Sequence, residues 1–240
     1  MNITKFTKAA RKALPLKKCG AVIVAAGSAS RMGGIDKVMA ALGGEPMIAR
    51  TVRAFQECDA VSEIVIVTRE DLILPITDLC KAFTKVKTVV VGGKSRQESV
   101  GKGLNAMGKE IKLAAIHDGA RPMITWQLID CCVRAANTYG AAAPAIPVKD
   151  TIKTVEGGIV VNTPDRSKLR AVQTPQVFDV DLLKGALLKA YQDGAEVTDD
   201  CSAVERLGMK VKIVEGDEKN LKVTTPMDLK IAEMLLEEMK

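Results

Sequence analysis

The sequence predicts a single α/β domain built on a mostly parallel, Rossmann-like sheet with helices on both faces. Three observations carry this. Short apolar runs alternate with helical patterns from residue 21 to about 146, the cores are aliphatic with few aromatics, and 240 residues are enough for one large domain. Ala21–Ala25 (AVIVA) runs into glycine-containing sequence and reads as the first buried strand. Met47–Phe55 reads as a helix, Glu63–Val67 (EIVIV) as the second strand, and a helical stretch follows to about Phe83. Val86–Val91 (VKTVVV) is the third strand. Ser95 and Glu98 fit a capping box that opens a helix to about Met107. Lys112–Ile116 (KLAAI) is the fourth strand, Trp126–Ala136 the next helix, and Ala141–Ile146 the fifth strand.

The rhythm then changes. Lys149–Thr154 and Gly158–Val161 alternate around Glu156-Gly157-Gly158 and predict a polar β-hairpin. An arm projecting from the sheet, about residues 148–172, is expected to exchange contacts with a second subunit; the alternative is a hairpin folded back on its own domain. Helical patterns return over Leu182–Tyr191 and Asp200–Leu207. Val211–Val214 is a short strand, and Thr225-Pro226 caps and opens the last helix.

The formal charge of +6 points towards nucleic acid, but its distribution argues otherwise. Six of the 35 basic residues (Lys5, Lys8, Arg11, Lys12, Lys17 and Lys18) lie in the acid-free stretch 1–18, which leaves 29 to face 29 acidic residues. The expected organisation is a basic N-terminal extension, 1–18, carrying a weak apolar stripe of Ile3, Phe6, Ala10 and Leu14, followed by one domain, 19–240. Neither a nucleic-acid nor a membrane partner is expected, because no apolar run is long enough to span a bilayer and Met1–Lys18 lacks the apolar stretch of a signal peptide. The six cysteines form no CxxC pair and read as reduced thiols of a cytoplasmic protein. A single histidine, His117, excludes multi-histidine catalysis and a Cys2His2 zinc site.

In open parallel sheets ligands bind beyond the carboxyl ends of the strands, and the polar clusters fall there. After strand one, residues 24–37 combine small residues, which let main-chain N–H groups approach phosphate oxygens, with the cations Arg31 and Lys37. The dinucleotide fingerprint GxGxxG is absent, and Gly93-Lys94-Ser95 only imitates a P-loop, since Thr88 stands where its first glycine belongs. Gly92–Ser99 follows strand three, with glycines for a turn and Ser99 for a base edge. His117–Pro122 follows strand four and brings Asp118 to a metal or a sugar hydroxyl, or into a structural pair with Arg121. Asn220–Pro226 sets Lys222 and two hydroxyls before a helix.

Seven segments in order (AAGSASRM, GGKSRQESV, HDGARP, PVKDTIK, TPDRSKLRAVQTPQVF, TDDCSAVE and VEGDEKNLKVTTPMDL) give the chain, from about Cys19 onward, a sequence that resembles the 2-C-methyl-D-erythritol 4-phosphate cytidylyltransferases of the non-mevalonate isoprenoid pathway. The resemblance implies a nucleotidyltransferase that uses CTP and Mg²⁺, works on a polyol phosphate, and forms a homodimer through the arm. It implies that Arg31 and Lys37 bind the triphosphate and stabilise the transition state. Ala25, Ala26 and Gly27 would meet the nucleotide through their backbone, Gly93 and Ser99 the cytosine, and Asp118, Gly119 and Arg121 the ribose and acceptor. Arg166, from the second subunit, and Lys222 would orient the acceptor, with Thr151, Thr174, Thr198 and Thr224 on the acceptor side. The metal is expected to be held mainly by the triphosphate, with Asp118 as a candidate ligand. The chain has Ala29 and Asp36 where the family often has Gly and Pro; Asp36 either weakens the field of Lys37 or helps hold the metal. Ribitol-5-phosphate cytidylyltransferases share most of these motifs and differ in the polyol. A non-catalytic nucleotide-binding regulator has no need of Arg31, Lys37, Arg166 and Lys222 together.

Overall fold

The computed structural model describes residues 15–27 and 36–238. Arg31 and Ala29, the basic residues Lys5, Lys8, Arg11 and Lys12, and the stripe Ile3, Phe6, Ala10 and Leu14 lie outside the described residues. The chain runs β1 (Cys19–Val24), β2 (Ala41–Leu42), β3 (Glu45–Pro46), α1 (Met47–Glu57), β4 (Val61–Thr68), α2 (Ile73–Leu79), β5 (Val86–Val91), α3 (Arg96–Ala106), β6 (Leu113–Asp118), α4 (Trp126–Tyr139) and β7 (Ala141–Pro147). It continues through β8 (Thr154–Glu156), β9 (Ile159–Asn162), β10 (Arg170–Val172), β11 (Gln176–Asp179), α5 (Val180–Gln192), α6 (Asp200–Glu205), β12 (Lys212–Glu215) and α7 (Pro226–Glu238).

The eight-stranded main sheet has β1 at its centre, parallel to β4 on one side and β6 on the other, with β5 beyond β4. Strand alternation sorts the core into two layers. Ala21 and Ile23 of β1, Ile64 and Ile66 of β4, and Leu113 and Ala115 of β6 face α1, α2 and α4 through Ile48, Phe55, Ile76, Leu128 and Val133. Val22, Val65, Val67, Ala114 and Ile116 face α3, α5 and α6 through Val100, Leu104, Leu183 and Val204. A third cluster, with Leu42, Met47, Val223 and Leu236, seats α7 on the β2–β3 hairpin. The capping signals act locally: Ser95 accepts from the Glu98 amide, 3.1 Å, while the Glu98 carboxylate reaches back to the Lys94 amide, 2.8 Å, one residue before the cap.

The mostly parallel α/β architecture agrees with the sequence reading, and three parts differ from it: β10–β11, the end of β6 and the first strand of the hairpin. The segment Arg170–Asp179 forms the antiparallel strands β10 and β11, which the apolar pattern does not reveal. β11 inserts between β6 and β7, and β10 continues along the same edge of β7. Its residues alternate between sheet, arm and core environments, so no single period emerges. Strand β6 also runs two residues past Ile116, carrying His117 and Asp118 inside the sheet.

The hairpin comprises β8 and β9, and 149–153 is not strand. Gly157 and Gly158 both have positive φ, 56° and 82°, the requirement of a tight two-residue turn matched to strand twist. β8 and β9 pair only with each other, and Val155, Ile159, Val160 and Val161 are exposed. Among the described residues no helix is long and apolar enough to cross a membrane. Five of the six cysteines are buried, Cys131 is exposed, and none is bridged.

Candidate active site

The chain moves from β1 outward to β4 and β5, then crosses back to β6. The carboxyl ends of β1 and β6 therefore flank the crevice where the strand order reverses. A cleft of about 340 Å³ opens there. Eight of the residues singled out from sequence line it: Ala25, Ala26 and Gly27 after β1, Lys37, Gly93 and Ser99 after β5, Asp118 at the end of β6, and Lys222 before α7. Lys94 and Arg96 add two further cations.

The loops are held by main-chain bonds. The Ala25 amide donates to Val67 O, 2.7 Å, extending β1, and the Gly119 amide donates to Val24 O, 2.8 Å. Gly119 is buried behind the cleft, and its carbonyl accepts from the Thr51 hydroxyl, 3.2 Å. A Cβ on Gly93 would stand 2.2 Å from Glu98 Cβ, so only glycine allows this close return of the chain onto α3. The Ser99 hydroxyl accepts from the Gly93 amide, 3.0 Å, and donates to Ser95 O, 2.9 Å. It shapes the glycine turn, and its hydrogen is committed to the loop.

Asp118 is the electrostatic centre. Its Oδ2 lies 2.8 Å from Lys222 Nζ and 3.8 Å from Arg121 Nε, and its Oδ1 lies 3.5 Å from Arg96 Nε. Burial alone would raise its pKa; Lys222, Arg96 and Arg121 outweigh that and bring it down to about 2. Arg96 reaches onward to Asp200, 2.8 Å from its Nη2, at the start of α6. Gln176 of β11 accepts from the Asp200 and Cys201 amides, 3.0 and 3.1 Å, and fixes that helix start.

Asp36 sits beside Lys37 in sequence but is paired with Arg69, while its Oδ1 accepts from the Val38 amide, 3.1 Å. Its charge is thereby paired at the carboxyl end of β4. The remaining sequence candidates fall elsewhere. The Arg121 guanidinium donates to Asn220 O, 2.7 Å. Thr174 is buried; its hydroxyl accepts from the Asp118 amide, 3.1 Å, and meets His117 Nδ1 at 3.0 Å. Thr224 donates to Asp228 Oδ2, 2.9 Å, within the cap of α7. Thr198 is exposed just before α6. Thr151 and Arg166 lie exposed on the arm segment, where Arg166 Nη1 donates to Lys149 O, 2.6 Å, and neither lines the cleft.

Arg96, Asp200, Gln176, Gln173 and Asn220 belong to the site's framework and were not singled out from sequence. Arg96 and Asp200 stand inside the quoted segments GGKSRQESV and TDDCSAVE. A cation three positions past the strand-end glycine pair was the available signal for Arg96, but its partner Asp200 lies 104 positions away in the chain.

His117 is fully buried against Phe55, with ring centroids 5.0 Å apart. Burial pushes its pKa down to about 3. With Thr174 donating to Nδ1, the Nε2 proton points to Arg121 O, 3.4 Å away. Because the folded pKa lies below the unfolded value of about 6.5, stability is full above that value and falls as pH drops towards 3. Between pH 6 and 4.5 the wild type is expected to lose about 1.4 kcal/mol more per pH unit than His117→Gln. Urea unfolding across that range checks this; parallel profiles would contradict a buried neutral imidazole.

Comparison with known proteins gives a uniform result. The family model IspD, 2-C-methyl-D-erythritol 4-phosphate cytidylyltransferase, matches residues 19–238. The 2-C-methyl-D-erythritol 4-phosphate cytidylyltransferase of Caldanaerobacter subterraneus is 44% identical over 225 residues, covering 90% of this chain and 97% of that protein. The protein of the same name from Symbiobacterium thermophilum is 47% identical over 219 residues, covering 90% and 92%. The crystal structure of 4-diphosphocytidyl-2C-methyl-D-erythritol synthase from Anaerococcus prevotii superposes with a TM-score of 0.84 at 30% identity, covering 92% of this chain and 96% of that one. On family match, sequence identity and fold together, the chain belongs to the 2-C-methyl-D-erythritol 4-phosphate cytidylyltransferase family.

Proposed function

We propose that this protein transfers the cytidylyl group of CTP to 2-C-methyl-D-erythritol 4-phosphate, giving 4-diphosphocytidyl-2-C-methyl-D-erythritol and pyrophosphate. The observation that carries the reading is the cleft at β1 and β6, where Lys37, Lys94, Arg96 and Lys222 surround small, backbone-exposing residues and one carboxylate, Asp118. The nucleophile is a phosphate oxygen. With a second pKa of about 6 it is largely dianionic at neutral pH, so no general base is needed. That suits a chain whose single histidine is buried and neutral.

The chemical difficulty is bringing two polyanions together. Lys37, with Arg31, offsets their repulsion on the triphosphate and stabilises charge developing at the α-phosphorus. Lys222, and Arg166 from a second copy of the chain, align the attacking oxygen opposite the departing pyrophosphate. Asp118 orients Lys222 and meets the ribose side. The remaining threonines, Thr151 and Thr198, and Arg121 frame the acceptor.

The donor set fits Mg²⁺ as a metal carried in with the nucleotide. Among the described residues there is no cluster of three His, Cys, Asp or Glu able to hold an ion, and Asp118 is the one carboxylate lining the cleft. Triphosphate oxygens and water would hold most of its coordination, with Asp118 nearest, and the bound ion would supply charge neutralisation on the phosphates. The exposed apolar face of the β8–β9 hairpin and the absence of Arg166 from the lining of its own cleft support a homodimer joined through the arm, about 148–172, on a domain spanning 19–240. Six unbridged cysteines support a cytoplasmic location.

The reading is tested by pyrophosphate release from CTP and Mg²⁺ with each of two acceptors. Release with methylerythritol phosphate and not with ribitol 5-phosphate is expected. Silence with both, or preference for ribitol phosphate, would overturn it.

A further inference from the structure

Lys222 sits on a loop between β12 and α7, with no regular element on either side of it. Its side chain is partly exposed, yet its ammonium meets Asp118 at 2.8 Å. What fixes the loop is two residues upstream. Asn220 is 1% exposed, and no charge or catalytic group of its own faces the cleft. Its Nδ2 donates to Thr174 O, 2.9 Å, and approaches Gln173 Oε1 at 3.4 Å. Its main-chain oxygen accepts from Arg121 Nη1, 2.7 Å. Gln173 Nε2 holds the same loop from below by donating to Asp217 O, 2.7 Å.

The anchor is itself buried and bonded. Thr174 is locked by the Asp118 amide and the His117 ring, and both of its hydroxyl bonds are used. On the far side of Lys222 the Val223 amide donates to Ala120 O, 2.8 Å. Lys222 is therefore suspended between one bond to the β6 loop and one buried amide on the β10–β11 corner. Only the Nδ2 half of this amide is bonded, since Oδ1 is buried without a partner among the described residues. Losing the Nδ2 bond would leave the whole buried amide unsatisfied, a cost above that of the bond itself, so the Nδ2 contact holds the loop in place.

We infer that Asn220 is a positioning residue of the transfer reaction, acting through Lys222 by tying its loop to the Thr174 carbonyl and the Arg121 guanidinium. The inference rests on the proposed cytidylyl transfer. Asn220 makes no hydrogen bond to the 25–27 loop or the 92–99 loop, so its effect is expected to fall on the acceptor and to spare the nucleotide. Asn220→Asp keeps the shape but turns a donor into a carboxylate facing the Thr174 carbonyl.

The experiment is steady-state pyrophosphate release by the full chain with CTP, Mg²⁺ and methylerythritol phosphate. In Asn220→Asp, kcat/KM for the polyol phosphate is expected to fall on the order of 10²-fold, as for a misplaced orienting group, with KM for CTP unchanged. Asn220→Ala, which removes the amide without adding charge, is read in the same way and serves if the aspartate variant does not fold. In a Lys222→Ala background the Asn220 substitution is expected to have no further effect, because the residue it positions is gone. Unchanged kinetics, a parallel rise in KM for CTP, or a loss that simply adds to that of Lys222→Ala would each overturn the inference. A wild-type protein silent with methylerythritol phosphate would instead overturn the proposed function, so the two failures are distinguishable.

Discussion

Lys222→Ala and Lys37→Ala are each expected to lower kcat on the order of 10²–10³, the loss seen when one preorganised charge-stabilising donor is removed. The two variants should differ in what else changes. Lys222 stands 2.8 Å from Asp118 and reaches the cleft from the α7 side, so its loss also weakens use of the polyol phosphate. Lys37 stands beside Gly27 on the β1 side, with its Nζ 3.8 Å from the position a Gly27 Cβ would occupy, so its loss falls on the triphosphate. Steady-state kinetics with each substrate varied in turn measures both. Near-wild-type turnover in both variants would sink the assignment. Mixing the inactive Lys222→Ala and Arg166→Ala proteins adds a test of the arm. If Arg166 serves the cleft of a second copy, mixed dimers contain one cleft with both cations intact, and activity reappears on mixing. No recovery after subunit exchange would place Arg166 and Lys222 in the same chain's site.

Arg96→Met is expected to destabilise the fold by about 3–5 kcal/mol at neutral pH, because it leaves a buried charge without its partner. The Asp200 carboxylate is 1% exposed and its Oδ2 lies 2.8 Å from Arg96 Nη2. Burial pushes the Asp200 pKa up, and Arg96 opposes that push. Without Arg96 the folded pKa rises further above the unfolded value of about 3.9. A carboxyl whose folded pKa is raised is best tolerated protonated. The deficit of the variant is therefore small below the unfolded pKa and grows as pH rises through the folded one. Adding Asp200→Asn should recover most of the lost stability. Denaturant unfolding of the two single variants and the double variant at pH 7 and at pH 4 measures all of this. A deficit that is independent of pH, or that Asp200→Asn does not relieve, would show that Arg96 stabilises the fold by packing alone.

The parallel half of the sheet was legible because most of its strands are short aliphatic runs and helical patterns follow β1, β4, β5 and β6, one of them opened by the Ser95 capping signal. Ala21–Ala25, Glu63–Val67 and Ala141–Ile146 needed no long-range information. The antiparallel pair β10–β11 was not legible. Its residues pass from the exposed Arg170 to the buried Gln176 and Phe178 within one segment, and its buried glutamines are polar residues satisfied only by distant helix starts and loops. The loops after β1, β5 and β6 announced themselves by glycine and isolated charge. Which of their residues face the cleft did not. Thr174 and Thr224 carry the hydroxyls of substrate-binding residues, yet both are consumed by neighbours 56 and 4 positions away. Spacing along a chain cannot distinguish a hydroxyl offered to a ligand from one that closes a loop. Arg96 illustrates the converse: its value comes from two carboxylates that only the fold brings together.

The arm has a property that follows from how it leaves the sheet. Pro147, the last residue of β7, is paired in register with Arg170, the first residue of β10. Residues 148–169 thus begin and end at one rung of the same antiparallel ladder. They form a closed excursion, with the sheet already joined beneath it. Such a segment can be lengthened, shortened or replaced while its two feet stay in place, as insertions are tolerated where the flanking backbone is already paired. The excursion carries Thr151 and Arg166, two of the acceptor-side residues of the proposed reaction, whereas Arg121, Thr198, Lys222 and the phosphate-side loops are rooted outside it. Part of the acceptor side can therefore be exchanged as one cassette at a fixed junction, leaving the machinery that handles the nucleotide untouched.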